Sequence, residues 1–251
     1  MINTMIFDFN GTMFFDGKIQ KESWGEFLKE EFKRTMTESE FEKHVAGRNN
    51  RDTLEYYAER KISDEELEVL TNKKEQIYCD MCLSRPKEFH LVDGLPDFLN
   101  VCLKNGIKLN IATASERPNV EFFFEHLDLE KWFNIESVSL NDSKLPGKPA
   151  PDMFLRAMDN IDSIPRDSAI FEDSVSGIQA ANRANAEQVV LVEDPDLTVV
   201  NMPTNLRVDE VIQDYFCFSE KVLFFAYFGL FALRNIFQYL KRGMTFGTAS
   251  N

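Results

Sequence analysis

Charged and hydroxyl side chains occur at the ends of several short apolar segments of this chain. Asp8 ends one such segment, Glu172 and Asp173 end another, and Lys148 lies in a loop between them. Small polar residues follow a third segment, at Thr113-Ala114-Ser115. Carboxylates can serve as nucleophiles or metal ligands, and a lysine can neutralise an anion. If the fold brings these ends together, one site holds three carboxylates, a lysine and small hydroxyl residues.

The apolar segments alternate in a way that predicts strands and helices in turn. We expect strands at 4–9, 107–112, 137–140, 169–171 and 188–192, and helices at 95–104, 119–127, 151–160 and 177–184. Repeated strand–helix units predict a doubly wound parallel sheet with helices on both faces, an α/β fold. Because ligands bind beyond the carboxyl ends of the strands in such sheets, the polar residues above are expected at one edge.

Between about Lys21 and Arg85 the pattern changes to charged stretches of helical period without a convincing strand. This segment predicts a helical insert of about 65 residues, a reasonable size for a lid. We therefore expect a core of residues 1–17 and 87–214, an inserted α-helical cap of residues 18–86, and an apolar, aromatic C-terminal tail of residues 215–251.

The composition indicates a folded globular protein and argues against nucleic acid as a partner. Of 251 residues, 43% are hydrophobic and 28% are charged, and the formal net charge is -14. Duplex binding depends on a basic surface, so we expect no nucleic-acid partner. The acidity also conflicts with an anionic substrate, unless positive charge is supplied within the site.

The cysteines and the first residues predict a cytoplasmic protein. Four cysteines are too few for a disulfide framework in a chain of this length. The first five residues contain neither a cationic leader nor a long apolar segment. Cys79 and Cys82 form a Cys-x-x-Cys pair without a second pair, and we interpret them as ordinary thiols.

Four short motifs occur in a fixed order at the predicted strand ends and in one loop. They are Asp8-Phe9-Asn10-Gly11-Thr12, Thr113-Ala114-Ser115, Gly147-Lys148-Pro149-Ala150-Pro151-Asp152, and Glu172-Asp173-Ser174 followed by Gly177. In this order the sequence resembles the haloacid dehalogenase (HAD) superfamily, in the branch of β-phosphoglucomutase-like phosphatases. The resemblance extends from about Thr4 to Val192, and the helical insert lies where that family has its helical cap. It implies a Rossmann-like phosphotransferase core in which an aspartate attacks phosphorus and Mg²⁺ neutralises charge.

The resemblance also implies a role for each acidic residue. Asp8 is expected to be the nucleophile, since a carboxylate can form an acyl phosphate and split one displacement into two easier ones. Mg²⁺ prefers a shell of oxygens with one or two protein carboxylates. We expect its ligands to be Asp8, Asp173 and the backbone carbonyl of Asn10, with Glu172 as a direct or outer ligand.

Phosphate binding is expected to depend on the lysine and on the loop after the second strand. Lys148 would pair with a phosphoryl oxygen and with Asp8. Thr113, Ser115 and the backbone N–H groups near Ala114 would hold the other phosphoryl oxygens.

Asn10 departs from the pattern of the phosphatases that this chain resembles. They usually carry a second aspartate two residues beyond the nucleophile, which protonates the leaving oxygen and then activates water. An amide does not exchange a proton near neutral pH, and positioned acid–base catalysis is typically worth about 10²- to 10⁴-fold. Three alternatives follow: a substrate whose leaving group needs little protonation, another residue or a water in this role, or a phospho-ligand-binding protein with little activity.

The predicted cap contains polar residues that are candidates for substrate binding. They surround Gly47 and are His44, Arg48, Asn49 and Asn50. In the family that the chain resembles, the comparable glycine-containing stretch lies at the interface of cap and core. The alternative is a solvated polar turn between two cap helices. A sugar phosphomutase is disfavoured, because Gln20 stands where the mutase has a histidine four residues before a tryptophan, here Trp24.

The tail differs from the rest of the chain in charge and in aromatic content. From residue 215 onward the net charge is +3, against -17 for the preceding residues, and 8 of the 23 phenylalanines lie beyond residue 214. Its apolar run, 222–233, is too short for a membrane span, and Arg234 would be costly within one. Packing on the core or on a second subunit is favoured, with peripheral membrane contact or a tail anchor as alternatives.

Taken together, these observations predict a cytoplasmic, Mg²⁺-dependent phosphohydrolase that acts on a small phosphorylated metabolite. The rival prediction is a non-catalytic phospho-ligand-binding protein that keeps the metal and phosphate site.

Overall fold

Five parallel strands form the centre of the computed structural model, which describes residues 2–45, 50–142, 144–197 and 202–216. In chain order the strands are β1 (Thr4–Phe7), β2 (Lys108–Ile111), β3 (Ser168–Glu172), β4 (Gln188–Val192) and β5 (Glu210–Ile212). Their order in the sheet is β2-β1-β3-β4-β5. The predicted α/β class with a parallel sheet is confirmed.

Helices connect the strands and form the inserted segment. They are α1 (Gly17–Glu31), α2 (Glu38–Glu40), a π-helical turn (Phe41–Val45), α3 (Asn50–Ala58), α4 (Asp64–Ser84), α5 (Leu95–Lys104), α6 (Arg117–Leu127), α7 (Asp152–Asp159) and α8 (Val175–Arg183). Single 3₁₀ turns lie at Leu129–Lys131, Ile135–Ser137 and Pro165–Asp167.

The strands bury both of their faces because their apolar residues alternate between two clusters. In β1, Met5 and Phe7 belong to the cluster that includes α5 and α6, whereas Ile6 belongs to the cluster that includes α7 and α8. β3 and β4 alternate in the same way, as the two-residue period of a strand requires. Helices on both faces thus hold the sheet rigid beneath its carboxyl edge.

Aromatic rings fill the core directly beneath this edge. Phe7 and Phe171, on neighbouring strands, stack with ring centroids 4.7 Å apart. The ring of Phe98 packs edge-on to Phe7, and Tyr215 stacks on Phe98 at 5.7 Å. Tyr215 is fully buried, although the sequence boundaries assign it to the C-terminal tail. The tail from residue 217 onward lies outside the described residues.

The helices α1 to α4 form the inserted helical cap between β1 and α5. The buried residues of α1 recur at helical spacing and include Trp24, Phe27 and Leu28, which pack with Leu54 and Tyr57 of α3. The hydroxyl of Ser63 caps α4 by accepting a hydrogen bond from the Glu66 N–H group. An inserted α-helical cap on a Rossmann-like core is therefore the observed architecture, and its domain boundaries remain predictions.

Two details of the predicted sheet are wrong. The segment 137–140 forms no strand, because only Ser139 makes a bridge, to Ala112. The edge strand β5 was not predicted, since it has three residues and its central residue, Val211, is 51% exposed. Among the described residues, no helix combines the length and apolar character that crossing a membrane requires.

Candidate active site

The register of the sheet brings the predicted strand ends together. Phe7 pairs with Ile111 of β2 and with Phe171 of β3. Asp8 follows β1 directly, and its N–H group donates a hydrogen bond to the carbonyl of Phe171 at 2.9 Å. The carboxylate of Asp8 therefore leaves the sheet beside Glu172, at the edge where this class of fold binds ligands.

Lys148 forms ion pairs with two of the carboxylates at this edge. Its Nζ donates hydrogen bonds to Asp8 Oδ1 and, at 2.7 Å, to Glu172 Oε1. Its side chain is buried, and the loop that carries it is held by Arg183, whose guanidinium donates to the carbonyl of Pro149 at 2.7 Å. Burial by itself lowers the pKa of Lys148, but the charges of Asp8 and Glu172 outweigh it and raise that pKa. Lys148 is therefore a cation that stays charged in a buried site.

Asp8, Glu172 and Asp173 form a compact acidic cluster. One carboxylate oxygen of each lies within 4.8 Å of the others. Burial is the main cause that raises the pKa of Asp8 to about 7, with Lys148 opposing the shift and Glu172 adding to it. Burial, with the charges of Glu172 and Asp8, also raises the pKa of Asp173 well above its usual range.

The donor set of this cluster fits a small divalent cation. Three carboxylates face one ammonium group, so the cluster has an excess of buried negative charge. Carboxylate oxygens are the ligands that Mg²⁺ prefers. A cation of this kind would offset the burial and the mutual repulsion that raise the pKa of Asp8 and Asp173.

Two glycines allow the carboxylates to lie directly against the backbone. A Cβ atom on Gly177, in α8, would lie 1.7 Å from Glu172 Oε1. A Cβ atom on Gly11 would lie 2.2 Å from Asp173 Oδ2, and Gly11 has a φ of +77°, which disfavours other residues. The N–H group of Ser174 fixes the other oxygen of Glu172 with a hydrogen bond of 2.6 Å. The sequence motifs include both glycines without revealing these close approaches.

The loop after β2 brings the predicted phosphate-binding residues 113–115 next to Asn10, in the loop that follows Asp8. Thr113 is buried, and its Oγ1 accepts a hydrogen bond from the Ser115 N–H group at 3.1 Å. The Ser115 hydroxyl donates to Asn10 Oδ1 at 2.9 Å. Ala114 is exposed between them. The turn therefore directs polar atoms from residues 113–115 to the same edge of the sheet.

Asn10 makes its second contact with Asp16, a residue that the sequence did not single out. Asn10 Nδ2 donates to Asp16 Oδ2 at 2.7 Å. The same oxygen accepts hydrogen bonds from the Tyr78 hydroxyl at 2.7 Å and from Gln20 Nε2 at 3.1 Å. Burial raises the pKa of Asp16, opposed by the hydrogen bonds from Tyr78, Asn10 and Gln20.

A buried lysine of the cap continues this polar network. Lys74 Nζ, in α4, donates to Gln20 Oε1 at 2.9 Å and to Glu75 Oε1 at 3.1 Å. The other oxygen of Glu75 accepts a hydrogen bond of 2.9 Å from Asn119 of α6. Polar contacts that begin at Asn10, beside the carboxyl edge of the sheet, thus join the cap to the core.

Of the predicted cap residues, His44 and Asn50 are among the residues that the structure describes. The His44 ring stacks on Tyr56 within the cap, with centroids 3.7 Å apart, and its carbonyl accepts a hydrogen bond from Thr53. Asn50 begins α3. Arg48 and Asn49 lie outside the described residues, so a substrate-binding role for this stretch remains a prediction.

Known proteins share both the sequence pattern and this architecture. A family model described as haloacid dehalogenase-like hydrolase matches residues 5–191. A phosphorylated carbohydrates phosphatase of Thermotoga maritima is 24% identical over 192 residues, which are 75% of this chain and 84% of that protein.

Solved structures agree with this assignment. A HAD hydrolase of family IA, variant 3, from Entamoeba histolytica has a TM-score of 0.75 at 30% identity, covering 85% of this chain and 94% of that one. A CbbY variant from Rhodobacter sphaeroides in complex with xylulose-(1,5)bisphosphate has the same fold, with a TM-score of 0.73 at 18% identity over 86% of this chain and 96% of that one. With the parallel sheet, the helical cap and the acidic cluster at the carboxyl edge, these matches show that the chain belongs to the haloacid dehalogenase-like hydrolase family.

Proposed function

We propose that this protein is a Mg²⁺-dependent phosphatase of a small phosphorylated metabolite, with Asp8 as its nucleophile. The observation that carries the proposal is the buried cluster in which Lys148 contacts both Asp8 and Glu172, with Asp173 beside them. Phosphoryl transfer needs mainly positioning and neutralisation of charge, and this cluster is suited to both.

The names of the relatives support a phosphorylated sugar as the substrate class. The Thermotoga maritima relative is named for phosphorylated carbohydrates, and the CbbY variant is in complex with a sugar bisphosphate. We therefore propose a phosphorylated sugar or a closely similar phosphate ester. The described thiols of Cys79, Cys82 and Cys102 are free, which supports a cytoplasmic location.

In the proposed reaction, an oxygen of Asp8 attacks phosphorus, and the bond from phosphorus to the substrate oxygen breaks as an aspartyl phosphate forms. Lys148 holds Asp8 in place and neutralises charge on the phosphoryl oxygens, while the 113–115 turn supplies further hydrogen bonds. Water then attacks phosphorus, which releases inorganic phosphate and the Asp8 carboxylate. A Mg²⁺ bound by Asp8, Asp173, the carbonyl of Asn10 and Glu172 supplies charge neutralisation.

Asn10 limits how the leaving oxygen obtains its proton. The carboxamide of Asn10 can hold a hydrogen bond but cannot deliver a proton. We propose that turnover depends strongly on the leaving group. Acyl or aryl phosphates, whose leaving oxygens need little protonation, should turn over about 10²-fold or more faster than alkyl phosphates.

A screen of phosphate release tests this function. Wild type and Asp8→Asn are compared on sugar phosphates, nucleotides and acyl phosphates with Mg²⁺, and Asp80→Asn, on the exposed face of α4, is the matched control. We expect release by wild type and by the control, and a loss of at least about 10³-fold in Asp8→Asn. Activity that survives in Asp8→Asn would show that Asp8 is not the nucleophile.

The contacts of Asn10 also favour a second candidate, capture of a phospho-ligand without turnover. Its side chain bonds Ser115 and Asp16 and provides no acid or base. If wild type releases no phosphate from any compound, while calorimetry shows Mg²⁺-dependent binding of inorganic phosphate that Lys148→Ala abolishes, the binding function replaces the phosphatase.

A further inference from the structure

A single buried carboxylate joins three elements at the junction of core and cap. Asp16 precedes α1 at the position where an aspartate commonly caps a helix, yet its side chain makes no capping hydrogen bond. Instead it accepts hydrogen bonds from Asn10, Gln20 and Tyr78, which follow β1 or lie in α1 and α4. It is 2% exposed, so these contacts replace water almost completely. Helix capping therefore does not explain why a carboxyl group is buried at this position.

We propose that Asp16 is a positioning residue of the active site, which fixes the carboxamide of Asn10 and connects it to the cap. The proposal rests on the proposed function, because it concerns the same reaction. In this proposal Asp16 does not contact the substrate and acts by orienting Asn10.

The two ends of the Asn10 side chain have opposite hydrogen-bonding character, and each end has a matching partner. The Ser115 hydroxyl donates to Oδ1, and the Asp16 carboxylate accepts from Nδ2. Because a carboxylate has no donor, Asp16 orients the amide with its NH₂ group toward itself. An aspartate at position 10 would instead face the Asp16 carboxyl group at hydrogen-bond distance, where the two groups could not both be ionised without repulsion and would share a proton.

The identities of residues 10 and 16 are therefore coupled. An amide at 10 is matched by an acceptor at 16, and an ionised carboxylate at 10 is matched by a donor at 16. It follows that Asn10→Asp alone should not produce a normally placed acid–base group. The exchange of both residues, Asn10→Asp with Asp16→Asn, restores the hydrogen bond with its direction reversed.

The same carboxylate extends this positioning to the cap. Gln20 donates to Asp16 and accepts from Lys74, whose other partner, Glu75, is bonded to Asn119 of the core. Tyr78 is fully buried and donates its hydroxyl proton to Asp16. The Tyr78 hydroxyl also accepts a long hydrogen bond of 3.4 Å from Asn10 Nδ2, so its loss should affect Asn10 both directly and through Asp16.

Four proteins test the coupling: wild type, Asn10→Asp, Asp16→Asn and the double exchange. For each, kcat and KM for phosphate release from p-nitrophenyl phosphate are measured with Mg²⁺, and Asp80→Asn is the control. We expect Asp16→Asn to lower kcat roughly tenfold with KM within about twofold, the size of one hydrogen bond to a charged group. Asn10→Asp should gain less than about tenfold, and the exchange should exceed Asn10→Asp by about 10²-fold. Equal kcat in Asn10→Asp and in the exchange overturns the proposal.

Urea unfolding of the same four proteins separates this proposal from the proposed function. If wild type proves inactive on every phosphate ester, the phosphatase function fails, and the coupling is judged by the unfolding midpoints alone. We expect each single variant to lower the midpoint and the exchange to recover most of the loss. Additive losses in the exchange would show that residues 10 and 16 are not paired.

Tyr78→Phe, made in the otherwise wild-type chain, should lower kcat for phosphate release but leave KM unchanged.

Discussion

Lys148 supplies positive charge within the proposed site. Its ammonium group is buried and lies against Asp8 and Glu172, so its removal leaves two buried carboxylates without their described cation. Such a loss is costly, because an unpaired buried charge is far less stable than a pair. The net charge of -14 is compatible with an anionic substrate if Lys148 and a bound cation together offset the carboxylates at the proposed site.

Lys148→Ala should lower kcat by about 10²- to 10³-fold, since it removes a cation that neutralises charge in the transition state. It should also lower the melting temperature of the metal-free protein. Lys144→Ala, in the same stretch of chain but 81% exposed at its side chain, should change neither quantity. Steady-state kinetics and thermal melting provide the two measurements, and full activity in Lys148→Ala would contradict its assigned role.

The acidic residues of the site were predictable, whereas the residues around Asn10 were not. Asp8, Glu172 and Asp173 each follow an apolar strand segment, and parallel strands bring such ends to one edge. Tyr78 lies 62 residues from Asp16 in sequence, and their contact depends on α4 folding back against α1. No local pattern contains that information.

At the scale of elements, the start of α8 sets the position of Glu172. The helix begins at Val175, with the Ser174 hydroxyl accepting a hydrogen bond from the Gly177 N–H group, and Gly177 leaves room for the Glu172 carboxylate. The sequence predicted this helix from residue 177, two residues late, because the cap at Ser174 was not recognised.

Gly177→Ala should displace Glu172, because the added Cβ would lie 1.7 Å from its Oε1. We expect weaker Mg²⁺ binding by calorimetry and a fall in kcat of about tenfold or more. Gly25→Ala, in the middle of α1 with no atom within 4 Å of the added Cβ, is the matched control. It should keep full activity and gain up to about 1 kcal/mol in the free energy of unfolding.

The sheet illustrates which elements a sequence pattern can reveal. β1, β3 and β4 are buried on both faces, and their continuous apolar runs predicted them. β5 is short and half-exposed at the sheet edge, so its residues carry no such signal. The segment 137–140, which the pattern predicts as a strand, pairs only through Ser139.

At the scale of the whole molecule, protons and the proposed Mg²⁺ are expected to compete for the acidic cluster. The pKa of Asp8 is about 7 in the folded protein, above its ordinary value of 3.8, so the folded state retains a proton that the unfolded state releases. The contribution of Asp8 to the free energy of unfolding of the metal-free protein should therefore fall as the pH rises from about 4 to about 7. Bound Mg²⁺ offsets this loss.

We expect Mg²⁺ to raise the melting temperature more at about pH 8 than at about pH 5, because protonated carboxyl groups bind the cation poorly. At 100 times the dissociation constant, the gain is about 2.7 kcal/mol, or roughly 5–10 °C for a chain of this size. Thermal melting with Mg²⁺ and with a chelator measures the difference. A shift independent of pH, or one retained in Asp173→Asn, would argue against this site.

Tyr215, near the end of the described residues, is hydrogen-bonded to the loop that follows Asp8. Its hydroxyl donates a hydrogen bond to the backbone carbonyl of Thr12, four residues after Asp8, and its ring is buried against Phe98. This hydrogen bond joins positions 12 and 215 although they are 203 residues apart in sequence. We therefore expect a chain truncated before position 215 to lose a contact that holds the loop after Asp8.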